Sequence, residues 1–199
     1  MHAITEAALN QSDKIAIIAS GKSYPYSTLL QASQQFATHL LDGSNDLDGA
    51  RVSFMVDPGF DYVKVQWGIW QAGAVAVPLC ITHPLPSLQH VLEDTGATIL
   101  VISLQYHGLL AAHAFEHSIR LIVVDRVPET SVVVLPQLDS HRNAMILYTS
   151  GTTNKPKGVV TTHANIAAQI NSITSAWQYA PTDHALCVLP LHHVHGIIN

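Results

Sequence analysis

The chain has 199 residues, 48% of them hydrophobic and only 12% charged, a composition that can bury a real core and excludes disordered and fibrous classes. That length suits one large domain or a domain and a half. At a formal net charge of −5 with His neutral, no basic surface advertises nucleic acid or anionic membrane as a partner, and the 13 histidines make that charge sensitive to mild acid.

Along the chain, short β-rich runs alternate with helical periods. The opening `MHAITEAALNQSDKIAIIAS` lacks a basic region followed by a long apolar one, so it is a poor signal peptide. Its end, `KIAIIAS`, reads as a strand. `YSTLLQASQQFATHLL` reads as an amphipathic helix, with Leu29, Phe36 and Leu40 and also Leu30, Ala37 and Leu41 on one side. `ARVSFMV` is a second strand, ending at the turn or helix-start signal Asp57-Pro58-Gly59, and `DYVKVQWGIWQAG` is helical. `AVAVPLC` is a strand; `PLPSLQHVLEDTG` is a helix opened by prolines and closed by Gly96. `ATILVIS`, `QYHGLLAAHAFEH` and `SIRLIVVD` continue as strand, helix and strand. The apolar run 121–124 suits a parallel sheet covered on both faces.

Residues 1–125 therefore predict a first α/β region, and this β–α alternation is the mark of a doubly wound fold. Residues 126–142 predict an irregular connection. From 143 to 199 the pattern resumes with the strand `NAMILYTS`, a Gly/Thr/Lys loop, a short `GVVTT` strand, a helix from about His163 to Trp177, and the strand `HALCVLP`. Cys80 and Cys187 lie far apart in apolar runs, outside any CxxC pair. They predict buried structural thiols and a reducing compartment. No stretch approaches the ~20 apolar residues of a membrane helix, so a soluble, cytoplasmic protein is expected.

The most informative segment is 148–158, `YTSGTTNKPKG`. Thr149, Ser150, Gly151, Thr152 and Thr153 leave a strand and run into Lys155, Pro156, Lys157 and Gly158. Convergent backbone N–H groups, hydroxyl donors and mobile positive charge are what a polyphosphate needs. The GxxxxGK[ST] spacing of a Walker A loop is absent. By composition alone, a polar surface loop is an equal reading.

That segment closely resembles the phosphate-binding signature of the adenylate-forming superfamily, which includes acyl-CoA synthetases, firefly-type luciferases and nonribosomal-peptide adenylation domains. The usual form, YTSGTTGxPKG followed by a strand and a histidine, stands here as `YTSGTTNKPKGVVTTHANI`, with His163 in the matching place. Asn154 occupies a position that is usually glycine; asparagine is the other residue that tolerates a left-handed turn. The string 189–196, `LPLHHVHG`, resembles the family's next motif, P-x-x-H-x-x-G, and within the family it looks most like the malonyl-CoA synthetase branch.

By that resemblance the fold is the N-terminal part of the adenylate-forming enzyme fold, with largely parallel sheets flanked by helices. Thr149, Ser150, Gly151, Thr152, Thr153, Lys155, Lys157 and Gly158 would bind the phosphates of ATP. His193 would act beside the reacting carboxylate, and His195 would line the acyl pocket. Several imidazoles suit a small dicarboxylate better than a fatty tail, because a buried donor without a partner is costly. A metal site built from Cys187, His192, His193 and His195 is the competing reading, without CxxC or HExxH spacing behind it. For His192 alone, a bond to local backbone is the better expectation.

The family's Tyr-Gly-x-Thr-Glu segment with its Mg²⁺ ligand, its ribose-binding Asp and its C-terminal domain with the catalytic Lys have no counterpart in these residues. The expectation is an ATP-, Mg²⁺- and coenzyme A-dependent ligase of a small carboxylate, present as a truncated portion that is inactive alone. A fatty-acid or amino-acid adenylating domain and a non-catalytic nucleotide-binding remnant are the alternatives.

Overall fold

The computed structural model describes residues 3–149 and 156–198. Its centre is a six-stranded sheet in the order β6-β5-β3-β4-β7-β8. The strands are β3 (Arg51–Met55), β4 (Val75–Pro78), β5 (Ile99–Ile102), β6 (Arg120–Val123), β7 (Asn143–Thr149) and β8 (Lys157–Thr162). All neighbours run parallel except β8, which turns back antiparallel on β7. The β3, β4 and β5 strands are buried almost throughout, as strands with helices on both faces must be. The apolar run 121–124 fares differently. β6 lies at the sheet edge, and Leu121 and Val123 are only half-buried because, among the described residues, no strand pairs beyond them.

One face of the sheet is covered by α2 (Tyr26–Leu41) and α3 (Phe60–Gln71), the other by α4 (Leu85–Thr95) and α5 (His107–Glu116). Alternation along the strands feeds both faces. Val52 and Phe54 pack with Leu29, Phe36, Leu40 and Trp70, whereas Met55, Val77 and Leu100 pack with Leu88, Leu92 and Leu110. The α2–α3 contact is close enough that a Cβ on Gly68 would stand 2.7 Å from the Phe36 ring and 3.0 Å from the Ser33 carbonyl oxygen. Trp70 Nε1 donates to the Ala144 carbonyl at 2.8 Å, fixing α3 to β7. α4 ends as its glycine predicts, with Gly96 left-handed at φ 59°.

Two elements near the N-terminus are not foreshadowed by the sequence pattern. A short helix, α1 (Ala3–Leu9), packs on α2 through Ala8. β1 (Ile15–Ala19) also finds a partner in β2 (Lys22–Pro25), through a two-residue turn with positive φ at both Ser20 and Gly21. From β6 the chain runs without regular structure from 127 to 139 and rejoins the sheet at β7. Arg142 secures that return. It donates to both Asp46 carboxylate oxygens at 2.7 and 3.0 Å and to the Gly73 carbonyl at 2.7 Å.

α6 (His163–Trp177) has the bounds its pattern predicts. It opens on a reciprocal cap in which Asn165 N–H donates to Thr162 Oγ1 at 3.1 Å and Thr162 N–H donates to Asn165 Oδ1 at 3.0 Å. The expected strand `HALCVLP` does not form. Residues 185–188 have no regular structure, and Leu186 and Val188 are 88% and 76% exposed. A β-rich run becomes a strand only when another strand completes its ladder, and among the described residues none pairs with this one. Cys187 is consequently exposed rather than buried, whereas Cys80 is buried. Among the described residues no helix is long and apolar enough to cross a membrane.

Candidate active site

In open α/β sheets, ligands settle beyond the C-terminal ends of the strands, where successive connections depart to opposite faces. Here that point lies between β3 and β4. The connection after β3 leads to α3 on one face, and the connection after β4 leads to α4 on the other. A cavity of about 230 Å³ opens there, lined by Val56 and Pro58 after β3, Leu79 and Thr82 after β4, Tyr62 of α3, and His192.

The Gly/Thr/Lys segment joins β7 to β8 as a hairpin connection closed by the pair Thr149 and Lys157. Both of these residues are exposed. Ser150, Gly151, Thr152, Thr153, Asn154 and Lys155 lie outside the described residues. The two flanks of the connection rest on α4. Tyr148 donates its hydroxyl to the Asp94 carboxylate, and His90 Nε2 lies 3.3 Å from the Pro156 carbonyl oxygen. The His90 ring also meets the edge of Tyr148 at 6.1 Å. Burial, and then the neighbouring Asp94 carboxylate, push the Tyr148 ionisation well up, so its hydroxyl remains a donor at neutral pH. Gly158 pairs with Tyr148, and a Cβ there would stand 2.8 Å from Ile146 Cγ2 and 3.3 Å from the Tyr148 ring. The side chains that brace this hairpin thus require a glycine beneath them.

The histidine segment folds around one helical turn, α7 (Val194–Ile197), which starts at His193. Tyr62, 4% exposed, donates its hydroxyl to the Leu191 carbonyl at 2.6 Å. Gly196 lies so close to Pro190 that a Cβ would meet its carbonyl oxygen at 2.2 Å. His192 points inward. Its ring is 4.2 Å from His193 and 6.1 Å from His83, and burial, followed by those two imidazoles, lowers its pKa. Among the described residues no hydrogen bond from His192 to local backbone is found. His193 and His195 are exposed. Cys187 Sγ faces the carbonyls of Leu189 and Gly196 at 3.8 and 3.7 Å. Among the described residues, Cys187, His192, His193 and His195 do not converge as a metal-ligand group.

His163, the histidine after the hairpin, is 4% exposed and meets Trp70 edge-on at 6.0 Å. It faces the core beneath β7. The two motifs therefore share one support, the segment from the end of β4 through α4, where His83 faces the histidine segment and His90 and Asp94 hold the hairpin. None of Tyr62, His83, His90 or Asp94 was singled out by the sequence reading. His90 and Asp94 stand at helical spacing on one face of α4, but linear sequence does not say what that face meets.

The family model of AMP-binding enzymes matches residues 4–199. The chain belongs to the AMP-binding enzyme family. Malonate–CoA ligase of Arabidopsis thaliana is 38% identical over 223 residues, covering 99% of this chain and 36% of the plant protein. The human mitochondrial malonate–CoA ligase ACSF3 is 36% identical over 203 residues, covering 96% of this chain and 35% of the human one. The chain thus spans about a third of the length of these curated relatives. Apo MatB from Rhodopseudomonas palustris superposes with a TM-score of 0.87 at 23% identity, over 100% of this chain and 42% of that one. The o-succinylbenzoate-CoA synthetase MenE of Bacillus subtilis, bound to its acyl-adenylate OSB-AMP, reaches 0.88 at 23% identity, over 99% and 52%. At that identity the likeness is one of fold: an α/β domain with a mainly parallel central sheet, the N-terminal part of adenylate-forming enzymes.

Proposed function

We propose that the chain supplies the polyphosphate grip and part of the acyl site of an ATP-dependent acyl-CoA ligase that activates a small dicarboxylate of the malonate kind. The observation that carries this reading is the common support of the two motifs. His83 faces the histidine segment, and seven residues on, His90 reaches the hairpin. Phosphate donors and imidazoles would then border one site. The names of the curated relatives add weight to malonate.

In the proposed reaction a substrate carboxylate oxygen attacks the α-phosphorus of ATP, the bond to the bridging oxygen breaks, and pyrophosphate leaves. The thiol of coenzyme A then attacks the acyl carbonyl and AMP departs. Backbone and hydroxyl donors of Thr149, Ser150, Gly151, Thr152 and Thr153, with Gly158 allowing close approach, would hold the phosphates, and Lys155 and Lys157 would place positive charge on the β- and γ-groups. Mg²⁺ would accompany ATP, its protein ligand lying outside these residues. Catalysis of this kind rests on positioning and charge neutralisation. His193 would act beside the reacting carboxylate, and His195 would bind the distal one.

The test uses a chimera in which this chain replaces the matching part of the Arabidopsis malonate–CoA ligase. His195→Ala should lower kcat/KM for malonate about ten- to hundred-fold, the loss of one charge-assisted contact, and leave acetate nearly unchanged. His193→Ala should lower both. A malonate-to-acetate preference untouched by His195→Ala rules out the dicarboxylate reading.

A further inference from the structure

Away from the candidate active site, the outer helices α4 and α5 bring together Glu93, His113 and His117. One ring nitrogen from each histidine and one carboxylate oxygen all lie within 4.8 Å of one another. The histidines stand at i and i+4. The helical bond that sets this spacing is intact, with His117 N–H donating to the His113 carbonyl at 3.1 Å, and the two rings are 4.1 Å apart. That spacing places two imidazoles on one face, as in helical zinc motifs. Glu93 projects from the neighbouring helix to supply a third, anionic donor.

A second observation is independent of this clustering. His113 is 4% exposed, yet its Nε2 has no hydrogen-bond partner. A buried polar atom without a partner is costly and calls for an explanation. The other ring nitrogen is engaged, with Nδ1 3.3 Å from Gln89 Nε2. Gln89 and Glu93 share a face of α4 as His113 and His117 share one of α5. The Gln89 atom placed there is the amide nitrogen, a donor; with the carboxamide turned over, its oxygen would accept the Nδ1 proton and fix the tautomer whose Nε2 carries a free lone pair.

We infer that Glu93, His113 and His117 form a binding site for a divalent transition metal of the zinc kind, with Gln89 as a positioning residue and a coordination position left for water. Two imidazoles and a carboxylate suit Zn²⁺ and Co²⁺, whereas Mg²⁺ and Ca²⁺ favour oxygen-only sets. Donors bound tetrahedrally at ~2.0–2.1 Å stand roughly 3.4 Å apart. The cluster must therefore tighten by at most about 1.5 Å, within reach of side-chain rotation at Glu93 and His117, both exposed. A bound ion would cross-link α4, which braces the phosphate hairpin, to α5.

Titration of the tag-free chain with Co²⁺ should give visible d–d absorption that saturates at one ion per chain and is displaced by Zn²⁺. His117→Ala and Glu93→Gln should each weaken binding at least about ten-fold, and Gln89→Ala by about ten-fold. Zinc should raise the melting temperature of the wild type but not of either ligand variant. Melting in chelator separates loss of fold from loss of a ligand, and the exposed Glu93→Gln serves should His117→Ala fail to fold. A variant lacking His192, His193 and His195 should bind as wild type. Co²⁺ binding weaker than about 1 mM, binding indifferent to Glu93→Gln, or binding abolished in the triple variant each overturns the assignment.

Discussion

Tyr62→Phe isolates the contact that holds the histidine segment. The ring is buried and lies 5.0 Å from Phe54, so phenylalanine keeps the packing and loses only the hydroxyl. That hydroxyl donates to the Leu191 carbonyl at 2.6 Å, and burial pushes its ionisation far above the ordinary range, so it remains a donor throughout the neutral range. An intramolecular hydrogen bond contributes ~0.5–1.5 kcal/mol net, and more when the abandoned acceptor stays buried. Leu191 is half-buried, so water can reach part of its carbonyl, and a loss of about 1 kcal/mol follows. For a domain of this size that is a fall of about 2–4 °C in melting temperature. The effect should be local. Amides of His193, Gly196, Ile197 and Ile198, whose bonds close this turn, should exchange about five-fold faster, while β3 and β5 amides change little. Hydrogen exchange resolved by residue measures both. Unchanged exchange at 193–198 would mean that Tyr62 does not hold the segment.

Gly158→Ala places a methyl 2.8 Å from Ile146 Cγ2 and against the Tyr148 ring, and should cost about 1–3 kcal/mol in denaturant unfolding, as overpacking does. An unchanged midpoint would show that the hairpin has slack. Arg142→Ala should lower stability by roughly 1–3 kcal/mol, because it strips Asp46 and the Gly73 carbonyl of their shared donor. The hydrogen bond from Arg142 holds the Asp46 carboxyl below its usual range, so this contribution is complete above the ordinary Asp pKa of ~3.9 and is lost as pH falls through the folded value. Stability against pH should therefore be less steep in acid for the variant, and equal slopes would sever that link.

The framework of the fold was legible because its strands are apolar on both faces and its helices are one-sided. The stripe from Leu29 to Leu41 is buried where periodicity places it, and Gly96 and Thr162 mark helix ends where local chemistry demands. What escaped depends on distant partners. β2 is four residues ending in proline, and pairs only because Ser20 and Gly21 turn the chain back. `HALCVLP` has strand composition without a strand to meet, and its exposed Cys187 follows from that. The candidate site divides the same way. `YTSGTTNKPKG` and `LPLHHVHG` are contiguous and readable. Their supports lie far off in sequence: Asp94 is 54 positions from Tyr148, and Tyr62 is 129 from Leu191. The approach of His192 to His83 likewise exists only in the fold.

The claim that the β7–β8 connection grips the polyphosphate of ATP is tested most directly by Lys157, the exposed lysine that pairs with Thr149 at its base. In the chimera, Lys157→Ala should weaken ATP binding about ten- to hundred-fold, the ~1.5–3 kcal/mol of a charge-assisted contact, and leave AMP within about two-fold, because AMP has no β- or γ-phosphate to lose. Calorimetric titration of both nucleotides gives the two ratios. Equal losses for ATP and AMP, or none for either, would contradict it and return Lys157 to solvent.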